Sequence, residues 1–308
     1  MSDPHPVVAV VGPTATGKSD LGLALAQGLG GEVVNADAMQ LYRGMDIGTA
    51  KLSLEERRGV PHHQLDVLDV REEASVAAYQ RHSRANIDDI RTRGRVAVLV
   101  GGSGLYVRAA LDRLEIPPTD RLVRQRLEAE LAAGGVAALR DRLVAVDPTA
   151  AEAIEPNNGR RIVRALEVVE LTGRPFSATM PTREYVVPTV TLGLAAARPV
   201  LDERIDRRVR RMWQLGLVDE VKALVRQGLR EGRTAAKALG YQQALAQLDG
   251  TMTPEEAQAE TATATRRYAR RQESWFRADP RVVWLPHDAQ DLLDRAHEAV
   301  VAAGRMPV

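Results

Sequence analysis

The chain alternates short apolar runs with stretches of helical periodicity. The first run, residues 7–11, is continuous and mostly β-branched, and similar runs occupy residues 32–36 and 95–100. Such runs are typical of strands that are buried on both faces of a parallel sheet. Leucine spacing over residues 21–29 predicts a helix after the first run. Strand, glycine-rich turn and helix recur, which predicts a doubly wound parallel α/β sheet with ligands beyond the carboxyl ends of its strands.

The pattern changes at about residue 118. Helical periodicity dominates from there to about residue 187, and it predicts a helical insertion over 118–187. The α/β core then comprises residues 1–117 and 188–308. Within the second part of the core, we predict a returning strand over 189–196 and a final strand over 281–285.

Composition indicates a globular protein and narrows its chemistry. Of the 308 residues, 44% are hydrophobic and 27% are charged, which excludes disordered and fibrous classes. The longest apolar runs fall far short of the ~20 residues that a membrane-spanning helix needs. The first residues lack the basic and apolar regions of a secretory signal, so we expect a cytoplasmic protein that does not associate with membranes. The absence of cysteine excludes disulfides, thiolate zinc sites and a cysteine nucleophile.

Only local clusters of arginine, and not the net charge, indicate a possible nucleic-acid partner. The chain has 42 basic and 41 acidic side chains, for a net charge of +1, so its overall charge does not indicate nucleic-acid binding. Arginines recur at helical spacing in three groups: Arg160, Arg161 and Arg164; Arg204, Arg207, Arg208 and Arg211; and Arg266, Arg267, Arg270 and Arg271. Each group fits either a phosphate-binding face or a solvated helix face that pairs with acidic residues.

Residues 12–19 match the phosphate-binding loop pattern Gly-x-x-x-x-Gly-Lys-Ser, between a predicted buried strand and a predicted helix. The glycines allow backbone N–H groups to close around phosphate oxygens, Lys18 adds a positive charge, and the Ser19 hydroxyl can ligate Mg²⁺. This motif predicts a P-loop NTPase-like sheet core. It leaves open whether the loop holds a nucleoside triphosphate or another polyphosphate.

Polar residues also follow the other predicted strands. Asp37 suits three roles there: a Mg²⁺ ligand, a cap of the following turn, or a general base. Residues 101–104, Gly-Gly-Ser-Gly, predict a second turn of backbone donors at the same edge of the sheet. His62 and His63 are adjacent, and adjacent residues on an extended segment point to opposite faces, which favours a structural role over a metal site.

Longer motifs resemble a known family. They comprise the phosphate-binding loop, the block Asn-Ala-Asp-Ala-Met-Gln-Leu-Tyr-Arg-Gly-Met-Asp-Ile-Gly-Thr-Ala-Lys at 35–51, and segments at 101–106, 160–167, 240–241 and 265–276. In this order, over nearly the whole chain, they resemble the bacterial tRNA dimethylallyltransferase family. The block at 35–51 is the most specific, because generic phosphate-loop kinases share only the first motif.

The resemblance implies transfer of a dimethylallyl group from dimethylallyl diphosphate to N6 of the adenosine on the 3′ side of the anticodon, with release of diphosphate. It implies Mg²⁺ beside Ser19, and a tRNA anticodon stem-loop as a partner that the insertion contacts. It implies Asp37 as the general base, with Lys18 and Ser103 also catalytic. The implied donor-binding residues are Gly12, Pro13, Thr14, Ala15, Thr16, Gly17, Lys18 and Ser19. The implied tRNA-binding residues are Asp37, Ala38, Met39, Gln40, Ser103, Arg160, Arg161, Ile162, Val163 and Arg164.

The sequence also bears on the donor clamp, the oligomeric state and two alternative functions. We expect Arg204 to clamp the diphosphate, and we expect the protein to be a monomer. One alternative is a phosphate-loop kinase, with Asp37 as the base for a hydroxyl group and the insertion as a lid. The other is an ATP-dependent switch that binds RNA without catalysis.

Overall fold

The computed structural model describes residues 5–179 and 182–304. Their strands form one six-stranded, entirely parallel sheet in the order β3-β2-β4-β1-β5-β6. The strands are β1 Val7–Val11, β2 Glu32–Asn35, β3 His62–His63, β4 Ala97–Val100, β5 Thr189–Ala195 and β6 Val282–Pro286. The α-helices of these residues are α1 Lys18–Gly28, α2 Val76–Thr92, α3 Gly104–Leu111, α4 Arg121–Val146, α5 Pro148–Ala153, α6 Gly159–Thr172, α7 Arg198–Gln214, α8 Leu217–Arg226, α9 Tyr241–Leu248, α10 Pro254–Arg277 and α11 Leu292–Gly304. The predicted parallel α/β core is confirmed.

The central strand β1 explains why the first apolar run is continuous. All of its residues are 0% exposed, because β1 pairs with β4 on one side and with β5 on the other and both faces of the sheet carry apolar neighbours. Leu21 and Leu25 of α1 join the same apolar cluster as Ala296 and Val300 of α11.

The strand order determines which loops meet. Strands β2, β4 and β1 are consecutive across the sheet and parallel, so the segments that follow them emerge side by side at its carboxyl edge. These segments are the phosphate-binding loop after β1, the turn around Asp37 after β2, and residues 101–104 after β4. Parallel α/β sheets bind their ligands at this edge.

A second apolar cluster supports the segment that follows β2. Tyr42 and Met45, both 0% exposed, pack with Leu217 and Val221 of α8 and with Tyr241 of α9. Helices that come late in the sequence therefore fix a segment that comes early, close to the carboxyl edge of the sheet.

The helical insertion forms a compact unit of its own, Asp112–Glu184, distinct from the described residues on either side. This unit contains α4, α5 and α6, whose apolar side chains form their own cluster. The sequence pattern placed the limits at 118 and 187, whereas the packing of the folded chain places them at 112 and 184. The reason is backbone pairing at the base of the insertion, where the N–H of Arg113 donates to the carbonyl oxygen of Glu184 at 2.8 Å.

Within the described ranges, none of the helices combines the length and the apolar character required to cross a bilayer.

Candidate active site

The phosphate-binding loop adopts a backbone that requires glycine at both ends of its pattern. Gly12 has φ +132° and Gly17 has φ +95°, in a region that L side chains avoid. A Cβ at Gly12 would also lie 2.8 Å from the carbonyl oxygen of Leu194 on β5. Within the loop, Lys18 Nζ donates to the carbonyl oxygen of Pro13 at 2.6 Å, and α1 begins at Lys18 itself. The loop thus presents its lysine and a helix N-terminus together, which is an arrangement for binding an anion.

Arg204 of α7 lies against this loop, and the charge of Arg208 on the same helix acts on the loop lysine. Arg204 Nε donates to the carbonyl oxygen of Ala15 at 2.7 Å, and Arg208, one turn further along the helix, donates to the carbonyl oxygen of Thr49 at 3.3 Å. Arg204 therefore reaches the loop where the sequence-based clamp hypothesis needs it. The sequence alone gives Arg208 no individual role. Its spacing of four residues from Arg204 nevertheless indicates that both arginines share one face of the helix.

Electrostatic interactions connect the loop lysine with Asp37. The pKa of Lys18 is lowered to about 7, first by burial and then by the positive charge of Arg208, while the charge of Asp37 opposes both effects. Burial also lowers the pKa of Arg208, again opposed by Asp37. Two desolvated cations and one carboxylate thus share a small region, and an incoming anion would favour the charged form of Lys18.

The turn that carries Asp37 is shaped by a buried amide. Asn35, 4% exposed, accepts a hydrogen bond from the N–H of Asp37 and donates to its carbonyl oxygen, both at 2.9 Å. Asp37 Oδ1 in turn accepts from the N–H of Met39 at 2.9 Å, so the carboxylate caps the turn in this structure. Ala38 and Met39 are half-buried, and so is Gln40, whose amide donates to Thr49.

The segment at 37–51 has two further supports. Lys51, whose side chain is 2% exposed, donates to the carbonyl oxygen of Tyr42 at 2.8 Å. The Glu220 carboxylate of α8 accepts hydrogen bonds from backbone N–H groups at 46–48. The most specific motif of the sequence is therefore held by a buried lysine at its end and by a helix from late in the sequence.

The glycine turn at 101–104 owes its composition to close packing. A Cβ at Gly101 would lie 2.4 Å from the carbonyl oxygen of Ala36, and one at Gly102 would lie 2.2 Å from Gln272 Nε2. In addition to the predicted backbone donors, the turn supplies an acceptor: the carbonyl oxygen of Gly102 accepts a hydrogen bond from Gln272 at 2.8 Å.

Helix α10 adds two residues that sequence reasoning missed. They are Gln272 and Tyr268, which lie about one turn apart on the helix and next to Ser103. Burial raises the pKa of Tyr268, and the charge of Asp37 raises it further, against hydrogen bonds with Gln272 and Ser103. Both residues lie in the motif at 265–276, but the motif alone does not indicate a role for either of them.

In the insertion, the residues predicted to bind tRNA fall into three groups. Arg160 and Arg161 are exposed at the start of α6. Ile162 and Val163 are 0% and 3% exposed and belong to the apolar core of the unit, so their side chains are not available to a ligand. Arg164 donates to the carbonyl oxygens of Pro117 and Pro118 and to the buried Glu167 carboxylate, which gives it a structural role in the unit.

The other arginine groups are partly neutralised. Arg207 pairs with Glu203 at 2.7 Å, and Arg266 of α10 pairs with Asp206 of α7. The guanidinium of Arg271 lies 5.7 Å from the centre of the Tyr268 ring. The alternative of a helix face paired with acidic residues thus applies to Arg207 and Arg266. The contacts of both histidines suit the predicted structural role: His63 Nε2 lies 2.7 Å from Glu32 Oε2, and His62 Nδ1 lies 2.8 Å from the carbonyl oxygen of Val60.

Comparison with known proteins agrees with this geometry. Residues 40–279 match the IPP transferase family model. The chain is 65% identical over 299 residues to a tRNA dimethylallyltransferase of Thermobifida fusca, which covers 96% of this chain and 94% of the relative. A tRNA isopentenylpyrophosphate transferase structure from Bacillus halodurans matches with TM-score 0.72 and 43% identity over 97% of both chains. A eukaryotic dimethylallyltransferase acting on tRNA matches with TM-score 0.79 and 28% identity, over 96% of this chain and 77% of the other. The family resemblance carried by the sequence motifs is therefore confirmed, and this chain belongs to the IPP transferase family.

Proposed function

We propose that this chain, as a cytoplasmic monomer, transfers a dimethylallyl group from dimethylallyl diphosphate to N6 of the adenosine on the 3′ side of the anticodon in tRNA, and releases diphosphate. Its relatives include a tRNA dimethylallyltransferase and a tRNA isopentenylpyrophosphate transferase, which supports tRNA as the substrate and a prenyl group as the group that is transferred. The phosphate-binding loop, Asp37 and Arg204 belong to one compact unit, so the proposed site does not need a residue from a second copy, which is compatible with a monomer. The absence of cysteine suits a reducing compartment.

The observation that carries the proposal is that the phosphate-binding loop, contacted by Arg204 at Ala15, and the Asp37 turn emerge at one edge of the sheet. The charge of Asp37 acts there on Lys18 and Arg208. The exocyclic amine of adenine is a weak nucleophile, because its lone pair is delocalised into the ring. A carboxylate positioned to accept its proton assists attack as the C–N bond forms, and we assign that role to Asp37. The N–H groups of residues 15–19, together with Lys18, stabilise the charge that develops on diphosphate as the allylic C–O bond breaks.

Arg204 and Ser103 complete the assignment on the core. The Arg204 guanidinium already reaches the loop at Ala15, which supports a role as a clamp on the diphosphate. Ser103 lies beside Tyr268 on the turn that neighbours the Asp37 turn, which supports contact with the incoming adenosine. The adenine has to leave its stack to reach this site, as it does in other enzymes that modify bases.

The residues at the loop fit Mg²⁺ as a cofactor. Mg²⁺ prefers oxygen ligands and commonly binds through one or two protein groups plus substrate phosphates and water. Ser19 supplies a hydroxyl on the first turn of α1, and the part of the chain that the structure describes contains no cluster of three acidic or histidine ligands that would form an all-protein cage. We propose that Ser19 holds Mg²⁺ against the diphosphate, where the ion adds positive charge opposite the leaving group.

For the insertion, we propose that Arg160 and Arg161 bind the tRNA backbone. Both are exposed, both lie in the first turn of α6, and guanidinium groups suit phosphate oxygens. The burial of Ile162 and Val163 supports their role as the apolar side of this helix, which orients the two arginines outward.

The test uses labelled dimethylallyl diphosphate and unmodified tRNA, with labelled ATP as the comparison. The expected result is a tRNA-bound dimethylallyl label at the adenosine next to the anticodon, released diphosphate and no phosphoryl transfer from ATP. Phosphoryl transfer from ATP to a small acceptor would instead indicate the kinase. ATP-dependent tRNA binding without any transfer would indicate a non-catalytic switch.

A further inference from the structure

Gln272 of α10 joins two loops that are far apart in the sequence. It is 5% exposed, and its Oε1 accepts a hydrogen bond from the N–H of Thr14 at 2.9 Å. Its Nε2 donates to the carbonyl oxygen of Gly102 at 2.8 Å. One hydrogen bond ends in the phosphate-binding loop and the other ends next to Ser103, so a single amide spans both sides of the site.

The glycine turn is shaped to receive α10 at this point. A Cβ at Gly102 would lie 2.2 Å from Gln272 Nε2, and a Cβ at Gly104 would lie 2.1 Å from Nε1 of Trp275. Gln272 and Trp275 are three residues apart and therefore lie on one face of the helix. Both glycines allow this face to approach the turn more closely than any residue with a Cβ would permit.

The two hydrogen bonds require a side chain with one acceptor and one donor at this length. An ionised glutamate has only acceptors, and a leucine has neither. Each would leave a buried backbone group of Thr14 or Gly102 without its partner, which is costly in a dry environment. The chemistry of the position therefore selects glutamine.

Resting on the function proposed above, we infer that Gln272 is a positioning residue of the transfer reaction. It fixes the spacing between the loop that holds the diphosphate and the turn that carries Ser103. Reacting atoms have to be held at about 3–3.5 Å for efficient transfer, and small displacements are costly. Gln272 therefore acts on the rate of transfer through the loops that it connects, without contacting the reacting atoms.

The test compares Gln272→Leu and Gln272→Glu with wild type, and uses Gln247→Leu as a matched control. Gln247 is a half-buried amide that accepts a hydrogen bond from Trp213 at 2.8 Å. Single-turnover rates are measured at saturating dimethylallyl diphosphate and tRNA, together with thermal unfolding. We expect Gln272→Leu to lose roughly 10- to 100-fold in rate, and Gln247→Leu to keep the wild-type rate although it also loses a hydrogen bond of its amide.

The pH dependence of Gln272→Glu provides a readout that general destabilisation does not produce. A protonated carboxyl group can donate to Gly102 and accept from Thr14, as the amide does, whereas the ionised form cannot. The ratio of variant to wild-type rates should therefore rise as the pH is lowered from about 8.5 to about 6. Lys18, Asp37 and Tyr268 are present in both proteins, so the ratio isolates the introduced carboxyl group.

Three outcomes would overturn the inference: a wild-type rate in Gln272→Leu, an equal loss of rate in Gln247→Leu, or a rate ratio for Gln272→Glu that is flat with pH. If Gln272→Leu does not fold, the Gln272→Glu ratio still decides. The proposed function has a separate criterion, because it fails when wild type itself does not transfer the labelled group to tRNA.

Discussion

The side-chain amide of Asn35 makes two hydrogen bonds with the backbone of Asp37. Its Oδ1 accepts a hydrogen bond from the N–H of Asp37, and its Nδ2 donates to the carbonyl oxygen of Asp37, each at 2.9 Å. The same Nδ2 donates to the carbonyl oxygen of Gln64, and the Tyr79 hydroxyl donates to the carbonyl oxygen of Asn35. A buried network of hydrogen bonds thus fixes the backbone of the proposed base, and the backbone in turn determines where the Asp37 carboxylate points.

Replacing Asn35 tests whether these hydrogen bonds hold the Asp37 turn in place. In Asn35→Ala, three hydrogen bonds are lost and the backbone groups of Asp37 and Gln64 lose their partners. We expect the free energy of unfolding to fall by roughly 1–3 kcal/mol and the single-turnover rate to fall as well, because the Asp37 turn relaxes. Urea unfolding and rapid-quench measurements on the same preparation check both effects. An unchanged rate in the destabilised variant would show that the turn holds its shape without Asn35.

Replacing Asp37 tests the base. Asp37→Asn keeps the size of the side chain and the hydrogen bond from Met39, but removes the proton acceptor. We expect the rate of transfer to fall roughly 10²- to 10⁴-fold with donor binding preserved, and the loss of rate toward acidic pH to disappear. The check is a single-turnover pH profile beside a direct measurement of donor affinity. If donor affinity collapses and the rate at saturation survives, Asp37 instead binds metal or supports the structure.

Replacing Lys18 tests the stabilisation of the leaving group. Lys18→Ala removes a charged donor from the loop, and such donors are typically worth on the order of 10²–10³ in rate. Binding of tRNA should stay close to wild type, because the lysine faces the loop carbonyl of Pro13. Turnover and tRNA binding are measured on the same variant. Wild-type turnover would contradict the assignment of the loop to the diphosphate.

The exposed arginines of α6 test the RNA contact of the insertion. Arg160→Gln combined with Arg161→Gln should weaken tRNA binding and reduce the slope of log affinity against log salt concentration, by roughly 0.7–0.9 for each lost phosphate contact. Diphosphate affinity should not change, because the phosphate-binding loop belongs to the other compact unit.

A matched variant in the same helix separates RNA contact from stability. Arg164→Gln leaves the buried carboxylate of Glu167 with one arginine fewer, so it should lower the stability of the unit by roughly 1–3 kcal/mol without changing the salt slope. A wild-type slope in the double variant would move the RNA contact to another surface.

The buried Glu32 gives a pH-dependent contribution to stability at the opposite edge of the sheet from the site. Hydrogen bonding from Arg93 holds the pKa of Glu32 at about 2, against the effect of burial, with further help from His63. Because the folded pKa lies below the unfolded one, the stabilisation is complete above about pH 4.5 and is lost as the pH falls toward 2.

Glu32→Gln should remove this contribution. The difference in unfolding free energy between wild type and the variant is expected to be roughly 1–3 kcal/mol near neutral pH and to shrink between about pH 4.5 and pH 2. Denaturant unfolding across this range measures it. Glu203→Gln is the control, because the Glu203 side chain is 70% exposed and surface ion pairs contribute little. A pH-independent difference would contradict the electrostatic origin.

Much of the fold was predictable because its determinants are local. A continuous β-branched run such as Val7–Val11 can be satisfied only where both faces are covered, and the glycines of the phosphate-binding loop encode a backbone that other residues avoid. The same holds for α6, where the spacing of Ile162, Val163 and Leu166 indicates an apolar face. This local pattern already pointed to the burial of Ile162 and Val163, although the family motif assigned them to the RNA.

The rest depended on contacts between residues far apart in the chain. Gln272 meets Thr14 across 258 residues, and Glu220 meets the N–H of Ile47 across 173. No periodicity or spacing encodes such a pair, because each partner is an ordinary amide, carboxylate or backbone group whose role arises only when folding excludes water and leaves it a single neighbour. The phosphate-binding loop and a candidate base could therefore be predicted from the chain alone, whereas the buried groups that support these segments became visible only once the helices had packed.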